Sequence, residues 1–326
     1  MTRPLRLGTR RSALATTQSS WVADLLRRGG SPVELVEITT RGDVDRAPLA
    51  QIGGTGVFVS ALRDALLAGE VDLAVHSLKD LPTSAADGLA LAAVPGREDP
   101  RDVLVAAGGA TLADLPRGAR VGTGSPRRRA LLLALRPDLD VVAVRGNVDT
   151  RIGFATGGEL DAVVLAAAGL ARTGRLHEAS ELFAPEVFVP APGQGALAVE
   201  CRADDAEVLA ALAALDVPAV RWAVAAERQV LASLEAGCSA PVGAHAAGGV
   251  LHVAVEDPDG ALVRRAVPAA GLDDEGAARR LGASVAADLL EHELAQTPVA
   301  VGGGAQENHP QDRPVDGPRP DPESGS

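Results

Sequence analysis

In the N-terminal third of this chain, short apolar runs alternate with amphipathic helical stripes, and that rhythm constrains the fold more than any other feature. Residues 5–7 read as a short strand. Ser12 is placed to cap a helix in which Leu14, Trp21, Val22 and Leu25 recur at helical spacing; Gln18 is a polar exception and Gly29-Gly30 is the stop. Residues 33–39 are strand-like, and Phe58, Ala61, Leu62, Ala65 and Leu66 form a second stripe that ends at Gly69. Residues 71–75 form a buried-type strand running straight into His76-Ser77-Leu78-Lys79-Asp80. Strand–helix–strand succession implies a mostly parallel sheet with helices on its faces.

The turn-rich stretch 95–102 reads as a hinge into a second α/β unit, with strands near 120–122, 140–145 and 162–165. Another Pro/Gly segment at 190–195 precedes a strand at 196–201, which either stays in the second unit or crosses back to the first. A third region begins near Pro218, with a helix at 220–235, a strand–turn–strand over 250–267 and a final helix at 273–294. Beyond Thr297 the Gly-, Pro- and Asp-rich composition predicts disorder.

At 326 residues, two or three domains are expected, and with aromatics at 2% and no Tyr their cores must be built from Ala, Val and Leu. So few aromatics, with a net charge of −12, argue against nucleic-acid binding. No stretch has the length of a signal peptide or membrane span, so no membrane partner is expected. Two cysteines, Cys201 and Cys238, make no disulfide framework and fit a cytoplasmic location, and the six histidines show no metal-ligand spacing.

Arginines nevertheless cluster, at Arg10-Arg11, Arg127-Arg128-Arg129, Arg145 and Arg151, which suggests a small anionic ligand in a focused pocket. Of the 31 basic residues only Lys79 is lysine, and it adjoins Asp80. A compact ammonium on a flexible stem does what a planar guanidinium cannot, although a chance survivor would look the same. In Gly122-Thr123-Gly124-Ser125-Pro126-Arg127-Arg128-Arg129, Ser125 is a good N-cap and Pro126 suits the first helical position. The helix start and its arginines would bind an anion; the plain alternative is a solvated basic face. Arg145-Gly146-Asn147-Val148-Asp149-Thr150-Arg151 and Thr9-Arg10-Arg11-Ser12 repeat the pattern, and in open α/β sheets such turns share the carboxyl edge. Gly53-Gly54-Thr55-Gly56 lacks the ending of a phosphate loop and reads as a turn. Asp80 is either a local cap or a carboxylate acting on a cationic intermediate, and His76 is a general base or a structural residue. Cys201, in an apolar strand pattern, reads as core. Cys238 follows a helix C-terminus, which raises a thiol's pKa, so a tether suits it better than an activated nucleophile.

Together these stretches, with Thr40-Arg41-Gly42-Asp43, Arg97-Glu98-Asp99-Pro100-Arg101-Asp102, Pro192-Gly193-Gln194-Gly195 and Leu234-Glu235-Ala236-Gly237-Cys238, resemble the porphobilinogen deaminase family nearly end to end. The resemblance implies an α/β fold, α+β overall. Two similar lobes of periplasmic-binding-protein type with a chain crossover (1–95 with 196–216, and 96–195) would be followed by a smaller α+β domain at 217–296 carrying a cysteine loop. It implies a cytoplasmic, monomeric transferase that joins porphobilinogen units into hydroxymethylbilane with loss of ammonia. It also implies a dipyrromethane cofactor held covalently by Cys238. Asp80 matches the catalytic carboxylate. Arg10, Arg127, Arg128, Arg145, Arg151 and Arg172 match carboxylate-binding positions, with Ser12, Ser77, Lys79, Thr123, Ser125, Asn147 and Gln194 beside them.

The chain departs from the family pattern at Gln51, Thr55 and Ser60, where relatives often carry lysines, and at Gly124, where serine is common. A two-lobed binding module for small anions shares the lobes and the anion cleft but needs neither a loop cysteine nor an Asp beside the only Lys. An inactive homologue is a second alternative. A nucleotide-dependent enzyme lacks its phosphate fingerprint here.

Overall fold

The fold is that of a computed structural model, described for residues 3–38, 56–236 and 240–296, the side chains at 56–58 and 292–296 apart. The Thr40–Asp43 motif, most of the glycine turn at 53–56, the departures at Gln51 and Thr55, Cys238 and the tail beyond Thr297 lie outside the described residues.

Three sheets organise the chain. The first contains β1 (Leu5–Thr9), β2 (Val33–Glu37), β3 (Leu73–Ser77), β4 (Leu89–Ala93) and, from far later in the sequence, β10 (Leu197–Arg202). Its order is β2-β1-β3-β10-β4, with β1 parallel to β2 and β3 and with β10 antiparallel to both β3 and β4. The strand after the second Pro/Gly segment therefore lies in the first sheet. Helix α1 (Ala13–Arg28) buries Val22, Ala23 and Leu26 against Leu5, Leu7 and Leu73 on one face. Helix α2 (Gly56–Leu67) packs Leu62, Ala65 and Leu66 against Val71 and Ala74 in a separate cluster.

The second sheet repeats the plan with β5 (Asp102–Ala106), β6 (Arg120–Gly122), β7 (Asp140–Val142), β8 (Ala162–Ala166) and β9 (Glu181–Leu182) in the order β7-β6-β8-β5-β9. Here β6 is parallel to β7 and β8, and β5 is antiparallel to β8 and β9. Along β5, Leu104 enters the core containing Leu131, Leu132 and Phe188, whereas Val103 and Val105 enter the one containing Ile152, Ala155 and Leu170. That period-two division is what a strand covered on both faces requires. The covering helices are α3 (Pro126–Leu135), α4 (Val148–Thr156) and α5 (Ala167–Arg172).

After β10 the chain forms α6 (Ala206–Ala213) and α7 (Pro218–Ser233), then the antiparallel sheet β11 (Val242–Ala247), β12 (Val250–Glu256), β13 (Leu262–Pro268), and α8 (Glu275–Gln296). Val230, Leu251, Val253, Val285 and Leu289 share its core. As composition required, the cores are almost entirely aliphatic; Phe183 and Phe188, stacked at 4.5 Å, are an exception.

The strand expected at 140–145 stops at Val142, because the backbone must leave the sheet to reach the helix start at Asn147. Cys201 sits in β10 with no exposure, and burial pushes its thiol up to about 11, as a core residue should behave. Among the described residues no single helix is long and apolar enough to cross a membrane.

The two crossover segments touch at Gly195. Its φ is +87°, and a Cβ there would lie 2.3 Å from the Glu98 carbonyl oxygen, so only glycine permits this approach. The C-terminal unit docks through Glu227 of α7, which has no exposure. Its carboxylate accepts from both Arg97 NH groups at 2.7 and 3.0 Å, from Gly193 N at 2.8 Å and from Ala246 N at 2.9 Å. Burial alone would raise its pKa; Arg97 and His245 outweigh that and hold it at about 2.

Candidate active site

Four turns lie at the carboxyl edges of parallel strands, two in each of the first two sheets, where ligands of open α/β sheets bind. After β1, Ser12 caps α1 by accepting from Ala15 N at 3.3 Å. After β6, Ser125 caps α3, accepting from Arg128 N at 3.4 Å, and Thr123 Oγ1 accepts from Ser125 N at 3.2 Å. After β7, Asn147 caps α4, accepting from Thr150 N at 2.8 Å and Thr150 Oγ1 at 2.9 Å. The small polar residues read from the sequence as ligand neighbours thus hold helix starts in place, with the backbone amides of the first turn facing the edge.

The fourth turn follows β3. Ser77 ends the strand, and Leu78–Asp80 make one 3-10 turn, with Leu78 fully buried, Lys79 half-buried and Asp80 exposed. Arg228 of α7 clamps this turn, donating to the carbonyls of Leu78 (3.0 Å), Leu81 (2.8 Å) and Pro82 (2.6 Å). Lys79 Nζ donates to Gln194 Oε1 at 3.2 Å. Loss of water around the ammonium, then the charge of Arg128, lower its pKa to about 8; Asp80 and Asp102 resist the fall.

Opposite stand the arginines of α3. Arg127 donates to Asp102 Oδ2 at 2.7 Å and to the Val189 carbonyl at 2.6 Å. Arg128 reaches Asp102 Oδ1 through Nε at 3.0 Å and the Val164 carbonyl through NH1 at 2.9 Å. Both are buried, at 3% and 5% exposure, so Arg127 backs the site while Arg128 lies close enough to Lys79 and Arg151 to shift both. Burial is the first cause of the lowered pKa of Arg127, and Asp102 opposes it. Arg151 is half-buried, donates Nε to the Gly146 carbonyl at 2.9 Å, and feels Arg128 and Asp80 as its charged neighbours. Arg172 of α5 donates to the Gly195 carbonyl at 2.7 Å, its pKa lowered by burial. Arg145 is exposed and Arg10 half-buried at the mouth of their turns.

The structure therefore brings Lys79, Asp80, Gln194, Arg127, Arg128 and Arg151 into one electrostatic neighbourhood. Ser12, Ser125 and Asn147 serve as caps around it, and Cys238 lies outside the described residues. Sequence reasoning missed Asp102 as a site residue, and Arg228 and Glu227 altogether. Asp102 had a usable signal: an acidic residue opening an apolar strand must be paired. His76 is no base for this cleft, since its Nε2 lies 3.2 Å from Glu200 in the interior of the first sheet.

Residues 5–210 match the family described as "Porphobilinogen deaminase, dipyromethane cofactor binding domain", and residues 222–291 match "Porphobilinogen deaminase, C-terminal domain". "Porphobilinogen deaminase 1" of Streptomyces coelicolor is 65% identical over 245 residues, covering 74% of this chain and 77% of its own. "Porphobilinogen deaminase" of Thermobifida fusca is 55% identical over 318 residues, covering 94% of this chain and 99% of its own. Among solved structures, an arginine-specific periplasmic binding protein of Salmonella typhimurium aligns with 66% of this chain and 92% of its own, at 15% identity and a TM-score of 0.37, too low to bear on function. On these matches, spanning both halves of the molecule, the chain belongs to the porphobilinogen deaminase family.

Proposed function

We infer that the chain is a hydroxymethylbilane synthase, a transferase that joins porphobilinogen units head to tail with loss of ammonia. The observation that carries the reading is an exposed carboxylate, Asp80, on a clamped turn amid Lys79, Arg128 and Arg151. Each porphobilinogen carries two carboxylates, and an ammonium with planar guanidinium forks is the donor set they call for.

The dipyrromethane cofactor fits these residues. The cations at the carboxyl edges match its carboxylates in charge. Among the described residues, the buried Nε of Arg127 has no hydrogen-bond partner, a donor left over on the side of the cations. Lys79, Arg10, Arg128, Arg145, Arg151 and Arg172 would hold it, with the caps Ser12, Thr123, Ser125 and Asn147, Ser77 and Gln194 around them, and Cys238 would tether it. Bound there, it supplies the pyrrole carbon to which the first substrate unit is joined.

In this proposal Asp80 is the catalytic group. As ammonia leaves, positive charge develops on the pyrrole, and a fixed carboxylate stabilises it more in the transition state than in the ground state. The same oxygens accept from pyrrole N–H groups. Arg228, by fixing three carbonyls of the turn, keeps Asp80 from having to reorganise. The division into 1–95 with 196–216, 96–195 and 217–296, a cytoplasmic location and a monomeric state belong to the same reading; the crossed sheet order and the two-cysteine composition support it.

Intact mass spectrometry tests the assignment. Wild type heavier than its sequence by two linked pyrrole units, beside a Cys238→Ser variant at its bare mass, is the expected result. Wild type that gains no such mass even after incubation with porphobilinogen would leave an anion-binding module as the better account.

A further inference from the structure

Asp102 takes no part in the chemistry above. It opens β5 opposite Ala166, the last residue of β8, and so lies at the carboxyl edge of the second sheet, behind the cations. It has no exposure. Its oxygens are divided: Oδ2 accepts from Arg127 at 2.7 Å, and Oδ1 accepts from Arg128 Nε and Gln194 Nε2, each at 3.0 Å. Gln194 is equally enclosed, at 1% exposure. Its amide nitrogen also donates to the Pro100 carbonyl at 2.7 Å, and its oxygen accepts from Lys79 Nζ at 3.2 Å. A reversed amide would set NH2 against the ammonium and oxygen against the carboxylate, so the charges on either side fix its orientation.

We propose that Asp102 and Gln194 are positioning residues for the reaction, a buried carboxylate–amide pair that holds Lys79, Arg127 and Arg128 as one preassembled cation set. The inference rests on the hydroxymethylbilane synthase reading. Three cations this close repel one another. Without an internal anion they would splay or shed charge, and each arriving ligand carboxylate would have to gather them again. Burial would push the Asp102 pKa up, but Arg127 and Arg128 hold it at about 2, so its charge is permanent at neutral pH. Lys79 faces Asp80 on its own turn, Asp102 from β5, and Arg127 and Arg128 from α3. Removing the Asp102 charge leaves the two arginines less opposed, and the ammonium then loses its proton at lower pH.

Lys79 is the one lysine in the chain, so 15Nζ-lysine labelling gives a single side-chain ammonium resonance to follow by NMR. The midpoint is read in holoenzyme of wild type, Asp102→Asn and Gln194→Met, with cofactor loading checked by intact mass. In Asp102→Asn the midpoint falls by about one unit, the effect of one neighbouring charge. KM for porphobilinogen rises about tenfold, the worth of one charge-assisted hydrogen bond, and the alkaline limb of the activity profile moves down with the lysine. Gln194→Met shifts midpoint and KM in the same direction by less, because Arg127 and Arg128 keep Asp102. If Asp102→Asn yields no folded holoenzyme, Gln194→Met decides alone. A midpoint and KM equal to wild type in Gln194→Met, or in a folded Asp102→Asn, would overturn the proposal. Wild type that forms no hydroxymethylbilane would instead overturn the functional reading, while the lysine midpoints would still report on the pair.

Discussion

Glu200 and Asp102 occupy corresponding strands, β10 and β5, each the antiparallel fourth strand of a five-stranded sheet. Both carboxylates are buried and both are held near pH 2 by cations that outweigh the cost of burial. Their partners differ. Glu200 lies inside its strand opposite Ala74, and it is met by Arg63 of α2 at 3.0 and 2.8 Å and by His76 of β3, all belonging to the first lobe. Asp102 is the first residue of its strand, at the edge, and is met by Arg127, Arg128 and Gln194, the last from the opposite crossover. One layout thus yields two outcomes: a carboxylate deep in a strand fastens its own lobe, and one at the carboxyl edge organises the cleft. Position along the strand, not burial, separates them.

The largest effect should come from Glu200→Ala. It leaves half-buried Arg63 and buried His76 without their carboxylate, and equilibrium unfolding should show a loss of about 3–5 kcal/mol. Turnover per folded molecule should stay near wild type, because none of its partners faces the cleft. A variant of unchanged stability but raised KM would erase the distinction between the two lobes.

Acid should weaken both lobes together. The folded pKa of each carboxylate lies below its ordinary value, 4.5 for Glu200 and 3.8 for Asp102, and near 2 in both. Each contribution is complete above the ordinary value and is lost as pH falls toward 2, amounting to roughly 2–3 kcal/mol per group. Glu227 adds a third such group at the junction with the C-terminal unit. Unfolding free energies measured from pH 6 downward in wild type and Glu200→Gln should differ in slope only in that acid window; parallel curves there would contradict the pairing.

The smallest effect concerns the second lobe alone. A Cβ on Gly124 would lie 2.7 Å from the Val144 carbonyl oxygen. Gly124→Ala should cost about 1–3 kcal/mol, since the crowded atom belongs to the backbone and Val144 is itself buried in the core. A stabilised variant would show that this turn is looser than its geometry implies.

Much of this was legible in the sequence, for local reasons. Ser12 and Ser125 act as the caps their positions predict, because a cap bonds within one turn. The strand into Asp80 and the helical stripes at 12–28 and 56–67 followed from periodicity. The order of the second sheet, the burial of Arg127 on Asp102 and the grip of Arg228 on residues some 150 positions earlier depend on pairings far apart in the chain. No local pattern encodes which of many arginines meets which carboxylate. Arginine clustering therefore did not reveal that Arg127 and Arg128 are spent largely on Asp102 and on backbone carbonyls of the protein itself.

The proposed role of Asp80, the exposed carboxylate of the clamped turn, is to perform the chemistry. Its most direct test is steady-state turnover of porphobilinogen by Asp80→Asn holoenzyme whose cofactor has been weighed. The expected result is a folded, loaded enzyme with kcat reduced by about a hundredfold or more, the usual consequence of removing a group that stabilises developing charge. Near-normal kcat in a fully loaded variant would contradict it.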